Sequence, residues 1–102
     1  MIFTTTRVRF PSGSDVLVGD LHQPQGQDAE SATTIVIVTG SWTTVKEQQA
    51  DFYARRLAAA GLNTLVFDFR GFGQSEGTPR CWENPARKVE DIHAAVSFAA
   101  SQ

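Results

Sequence analysis

The stretch Leu65-Val66-Phe67-Asp68-Phe69-Arg70-Gly71-Phe72-Gly73-Gln74-Ser75-Glu76-Gly77 decides how this chain is read. Its opening is a short run of apolar, β-branched and aromatic side chains, the composition of a buried strand. The run ends in Asp68, Phe69 and Arg70, and the chain then turns through Gly71 and Gly73. Glycine at alternate positions implies backbone angles that other residues resist, or the close approach of another group. The stretch reads as a central parallel strand that delivers a charged, glycine-permitted loop to the carboxyl edge of a sheet.

Working back from it, Ile35-Val36-Ile37-Val38 is apolar without alternation. That pattern suits a strand covered on both faces, and so a parallel sheet. Between the two strands, Thr44-Val45-Lys46-Glu47 has the form of a capping box, with Thr44 as cap and Glu47 reaching back. The helix expected after it sets Ala50, Tyr53, Ala54, Leu57 and Ala60 along one stripe and stops at Gly61. Strand, helix and strand at this spacing form a right-handed βαβ unit.

Further back, Arg7-Val8-Arg9-Phe10 and Val16-Leu17-Val18-Gly19-Asp20-Leu21 flank the turn residues Pro11-Ser12-Gly13-Ser14-Asp15, which predicts an antiparallel hairpin. Val8 and Phe10 share one face, as do Leu17 and Leu21, while Val16, Val18, Asp20 and His22 share a partly wet one. The polar residues 23–33, with Pro24 and Gly26, read as a surface connection. Downstream of the glycine loop, Asn84-Pro85 predicts a helix start, asparagine as cap and proline at the first helical position. Ala86, Val89, Ile92, Val96 and Ala99 then recur at helical spacing, with Arg87 and Asp91 placed to pair on the polar side. The expected order is β, β, β, α, β, α in one domain spanning residues 1–102.

Composition narrows the function. With 102 residues, 41% hydrophobic and 20% charged, the chain has room for one ordinary globular domain. A net charge of −2 without a basic run gives no electrostatic case for nucleic acid. No apolar stretch reaches the roughly 18 residues of a membrane helix, and the amino terminus lacks the pattern of a signal peptide. One cysteine, Cys81, excludes an intrachain disulfide framework and fits a reducing compartment, so a cytoplasmic location is expected. No metal-ligand spacing appears, and no cofactor is expected.

The pattern Asp-x-Arg-Gly-x-Gly-x-Ser, carried by Asp68, Arg70, Gly71, Gly73 and Ser75, resembles the α/β-hydrolase family, where it follows the fourth strand. The order of elements resembles the amino-terminal half of that fold and covers essentially the whole chain. The segment from Glu83-Asn84-Pro85 through Lys88, Asp91 and Ile92 looks like a bacterial subgroup related to dienelactone hydrolases and acyl-peptidases. The resemblance implies a partial α/β-hydrolase sheet with strand order 1-2-4-3. It also implies that the loop after the third strand gives a backbone N–H to an oxyanion hole, with Ser41 first and Trp42 next as candidates.

A complete member would cleave an ester, thioester or amide through an acyl-serine carried on Gly-x-Ser-x-Gly after a fifth strand. The only such spelling here is Gly73-Gln74-Ser75-Glu76-Gly77, and the resemblance makes Ser75 a structural member of the glycine loop. No catalytic residue is therefore assigned. His22 and His93 read as a strand-end and a helix-face histidine, Cys81 as a small apolar residue, and Asp68 as a brace for the glycine loop through Arg70. Gly71-x-Gly73 with Gly77 has the wrong spacing for a dinucleotide fingerprint. The expected function is part of a serine hydrolase, inactive alone. The alternative is an interaction module or remnant that pairs through an open edge at Ile35, Val36, Ile37 and Val38, as a homodimer or with another chain.

Overall fold

The structure, a computed structural model, describes residues 2–26, 34–41 and 43–102. Strands β1 (Phe3–Ser12) and β2 (Asp15–Pro24) form the amino-terminal hairpin. There follow β3 (Ile35–Val38), helix α1 (Ala50–Ala59), β4 (Asn63–Phe67) and helix α2 (Pro85–Ala100). The four strands make one sheet in the order β1-β2-β4-β3, the order the resemblance implies. Strand β4 runs antiparallel to β2 and parallel to β3, and all five of its residues are buried. The central place of β4 explains the apolar run Leu65-Val66-Phe67 at its end, since neither face nor either edge meets water. Of the connection after the hairpin, Pro24 belongs to β2 instead, and residues 27–33 lie outside those described.

Alternation along the strands divides the core in two. Phe10, Leu17, Leu21, Leu65 and Phe67 face α2 and meet Phe69, Phe72 and Ala95 there. The Phe10 ring stacks on Phe98 at 5.0 Å and meets the edge of Phe67 at 5.7 Å. On the other face Val66 packs against Ala50 and Ala54 of α1. That second face is not wet, because Val18, Asp20 and His22 of β2 are all buried.

Three local expectations need correction. The capping box does not form, and α1 begins only at Ala50. Thr44 Oγ1 donates instead to the Ser41 carbonyl at 2.8 Å, and Glu47 pairs with Lys46. The cause lies elsewhere in the chain: the Lys46 backbone N–H donates to the Asp68 carboxylate, which holds residues 46–49 in turns. Helix α1 then buries Ala50, Ala54 and Ala58, spaced four apart, and leaves Tyr53 exposed. These small side chains bring the helix close enough for Thr64 Oγ1 to donate to the Ala54 carbonyl at 3.0 Å.

The third correction concerns α2. Asn84 caps it as expected, accepting from the Ala86 and Arg87 N–H groups. Its core face, however, carries Asp91 and Ala95 with Ala94 and Phe98. The stripe of Val89, Ile92 and Val96 is left to solvent at 57%, 38% and 52% exposure. Asp91 turns inward and has other partners, so its expected pair with Arg87 is replaced.

Candidate functional site

Two loops leave the carboxyl ends of the neighbouring parallel strands β3 and β4, and Asp68 joins them. Its carboxylate accepts from the Lys46 backbone N–H at 2.7 Å, from Lys46 Nζ at 3.1 Å and from the Gln74 N–H at 3.0 Å. Lys46 Nζ also donates to Glu47 at 2.7 Å and to Gln74 Oε1 at 2.5 Å. Burial pushes the Lys46 ammonium toward deprotonation, but the Glu47 and Asp68 carboxylates outweigh it and hold its pKa above the ordinary lysine value. Asp68 thus links the two loops, with Lys46 and not Arg70 as its cation. Gly73 has φ +52°, and a Cβ there would run into the Asp68 carboxylate. Gly71 has φ +84°, with the Pro79 carbonyl 2.9 Å from where a Cβ would sit.

Arg70 serves a different cluster. Its backbone N–H and its guanidinium donate to Asp91 at 2.8 Å and 3.1 Å, and Ser12 Oγ donates to the same carboxylate at 2.7 Å. Asp91 is fully buried and ties α2 to the hairpin and to the end of β4. Burial works against the Arg70 charge, but Glu90 and Asp91 prevail and raise its pKa further.

Ser75 is buried, with both roles of its hydroxyl taken. Oγ donates to the Asp68 carbonyl at 2.6 Å and accepts from the Val18 N–H at 2.8 Å. The two histidines lie elsewhere. His93 is exposed on α2. His22 is buried between Thr5 and Asp51, with Nδ1 2.8 Å from Thr5 Oγ1 and Nε2 2.8 Å from Asp51 Oδ1. Cys81 is exposed, at φ +58°. Among the described residues no group of three or more His, Cys, Asp or Glu side chains is placed to hold a metal ion, and no helix is long and apolar enough to cross a membrane.

The loop after β3 borders a cleft of about 360 Å³ lined by Gly40, Ser41, Glu83, Pro85, Lys88, Val89 and Ile92. Ser41 is exposed at its mouth, while Trp42 lies outside the described residues. The Thr43 N–H donates to Glu83 at 2.7 Å, and Lys88 Nζ pairs with the same carboxylate at 2.8 Å. Sequence reasoning singled out neither Lys46 nor Glu83 as a site residue. Their roles depend on loops brought together by the strand order. The one signal for Asp91 was its spacing of four from Ala95, which puts it on the core face of α2.

A strand order of 1-2-4-3 with a braced glycine loop after the fourth strand defines an α/β-hydrolase sheet, and the comparisons agree. The family model described as serine aminopeptidase, S33 (Hydrolase_4) matches residues 29–102, and the chain belongs to that family of the α/β-hydrolase superfamily. It is similar to the uncharacterized protein PA2218 of Pseudomonas aeruginosa, 39% identical over 82 residues, which is 80% of this chain and 22% of the relative. The crystal structure of PA2218 superposes with a TM-score of 0.85 at 35% identity, covering 94% of this chain and 30% of that one. The quorum-quenching protein AidA of Acinetobacter baumannii is 32% identical over 94 residues, 92% of this chain and 30% of the relative. The thiohydrolase aneE of Aspergillus aculeatus is 33% identical over 67 residues, 66% of this chain and 21% of the relative. The chain thus spans between about a fifth and a third of the length of these curated relatives.

Proposed function

We propose that residues 1–102 supply the oxyanion-hole part of a serine hydrolase acting on ester, thioester or amide bonds, and that the nucleophile comes from outside this stretch. In this reading the residues are part of one longer hydrolase domain and work in the cytoplasm, where an exposed Cys81 stays reduced. The observation that carries the reading is the pairing of a held loop with an occupied serine. Thr43 and Thr44 are held at the edge of an apolar cleft by Glu83 and by the Ser41 carbonyl, whereas the hydroxyl of Ser75 is used in bracing Asp68 and Val18.

The chemistry follows from that arrangement. A serine Oγ attacks a carbonyl carbon, and negative charge develops on the carbonyl oxygen. The Ser41 N–H, with Trp42 next, is the donor for that oxygen. A donor fixed before the reaction needs no reorganisation when charge appears, and one such donor is worth about 2.7–4 kcal/mol of barrier. The thiohydrolase among the relatives supports an acyl carbonyl as the group acted on.

Hydrolysis of a short acyl-nitrophenyl ester by the 102-residue chain tests the absence of a nucleophile. The expected rate is background. Turnover above background that disappears in Ser75→Ala and survives in Ser41→Ala would overturn the reading.

A second reading is favoured by the open edge of β3. Strand β3 pairs only with β4 among the described residues, and it offers Ile35, Val36, Ile37 and Val38 without charge or proline. Such an edge is a template for another strand, so the chain would act as a non-enzymatic interaction module, as a homodimer or with a second chain. An activity-based serine probe separates the classes, because a module without acyl chemistry is not labelled even when its partner is bound.

A further inference from the structure

We propose that Glu83 is the positioning residue of the loop after β3, its carboxylate spanning from Lys88 on α2 to the backbone N–H of Thr43 and so fixing the peptide run that presents the Ser41 amide. This inference rests on the oxyanion-hole reading and assigns a residue that the reading itself does not need.

Three observations converge on Glu83. The first is its geometry: one carboxylate oxygen accepts from Thr43 at 2.7 Å and the other from Lys88 Nζ at 2.8 Å. The Glu83 and Lys88 side chains are only 12% and 18% exposed, so both contacts are charge-assisted in a poorly hydrated place. The second is Thr43 itself, a β-branched residue held at φ +51°. That conformation is a genuine outlier for such a side chain and persists only where the surroundings enforce it. The third is the anchor. Glu83 directly precedes the Asn84 cap and Pro85, so it is attached to the rigid end of a 16-residue helix.

The loop is therefore held from two sides. On the sheet side, Thr44 Oγ1 closes on the Ser41 carbonyl and the Lys46 N–H donates to Asp68. On the helix side, among the described residues, the one carboxylate lining the cleft is that of Glu83, and Ser41 and Gly40 border the space between. Lys88 sits 4.6 Å over the Phe69 ring, which sets the ammonium against the core and keeps Glu83 within reach of the loop. Residues 39–44 contain no titratable side chain. Of the neighbouring cations, Arg87 lies over the Trp82 ring, and Lys46 faces Glu47 and Asp68. Burial pushes the Glu83 carboxyl up, but Lys88 and the Thr43 N–H outweigh it and hold it below the ordinary glutamate value.

The test reads backbone amides in the 102-residue chain by nitrogen-edited NMR, in the native sequence, Glu83→Gln and Glu83→Ala. The Thr43 amide proton should shift with the Glu83 carboxyl as pH is lowered. In Glu83→Ala, exchange at Thr43 should quicken at least tenfold and the Ser41 amide resonance should move, with less change at both in Glu83→Gln, which keeps an acceptor but loses the ion pair with Lys88. Leu65 and Val66 report whether the fold survives; if they lose protection in Glu83→Ala, the Glu83→Gln data decide. A response at Thr43 without one at Ser41 would overturn the proposal, since Glu83 would then tie down one peptide and position no donor. No response at either site overturns it as well. None of these readouts uses catalysis. Loss of the oxyanion reading, judged by acyl transfer in a longer form carrying Ser41→Pro, would leave the amide result standing on its own.

Discussion

The Lys46 ammonium and the Asp68 carboxylate meet 3.1 Å apart with neither side chain exposed to solvent. Removing two charges from water is costly, and their attraction offsets that only where the remaining donors and acceptors are also met. Here they are. Asp68 takes two further backbone N–H groups, and Lys46 reaches Glu47 and Gln74. The pair links the loop after β3 to the loop after β4 and fixes the two relative to each other.

Removing one member of this pair should therefore be expensive. Lys46→Met keeps the length of the stem but leaves a buried carboxylate without its cation, which costs about 3–5 kcal/mol. Urea unfolding of the variant measures it. A loss below about 1 kcal/mol would mean that water or another cation reaches Asp68, and the brace would be weaker than its geometry implies.

Gly73→Val should also destabilise well beyond an ordinary surface change. A β-branched residue at φ +52° carries backbone strain of about 1–3 kcal/mol, and its Cβ would displace the Asp68 carboxylate from the Gln74 N–H. Thermal unfolding unchanged from the native chain would remove the case that this loop needs glycine. Gly26, with φ +75° and open space around it, serves as the control for strain without a clash.

The third prediction concerns acid. Burial pushes Asp51 up, but hydrogen bonds from Arg55 and His22 outweigh it and leave its pKa below the ordinary aspartate value. A carboxyl whose folded pKa is depressed stabilises the fold above its unfolded pKa, about 3.9. That contribution is lost as pH falls through the lower, folded value. Unfolding temperatures measured from pH 7 to pH 3 should drop less steeply in Asp51→Asn than in the native chain. Parallel curves would show that the His22 and Arg55 contacts do not persist in solution.

The fold was legible because its signals are local and agree with one another. The Ile35-Val36-Ile37-Val38 run, the Asn84-Pro85 start and the positive-φ glycines each follow from a few adjacent residues. Misreadings arose where a distant partner overrode a local pattern. Thr44 and Glu47 satisfy every local requirement of a capping box, yet Asp68, more than twenty residues on, claims the Lys46 N–H. Helix α2 carries two apolar stripes, and periodicity alone does not say which one faces the sheet. Phe10 decides it by stacking on Phe98. Glu83 and His22 were beyond reach for the same reason: their partners, Thr43 and Asp51, are 40 and 29 residues away along the chain.

The last prediction follows from the difference between the two sheet edges. Strand β1 presents Arg7, Arg9 and Pro11, residues that discourage pairing with another strand. Strand β3 presents two isoleucines and two valines, all only half-buried. A groove beside it is lined by Ile35, Ile37, Val96, Ala99 and Ala100, and continues the exposed stripe of Val89, Ile92 and Val96. An open apolar edge next to an open apolar helix face should draw the isolated chain into association. Light scattering across a concentration series should show a mass that rises with concentration. Val96→Lys removes part of the helix face without entering the core, and Ile37→Lys places charge on the strand; each should shift the series toward monomer. The strand substitution should act more strongly, because it also prevents edge-to-edge hydrogen bonding by charge repulsion between paired copies. A native chain that stays monomeric at every concentration, with slow amide exchange along β3, would show that this edge is already covered, and the association argument would fall.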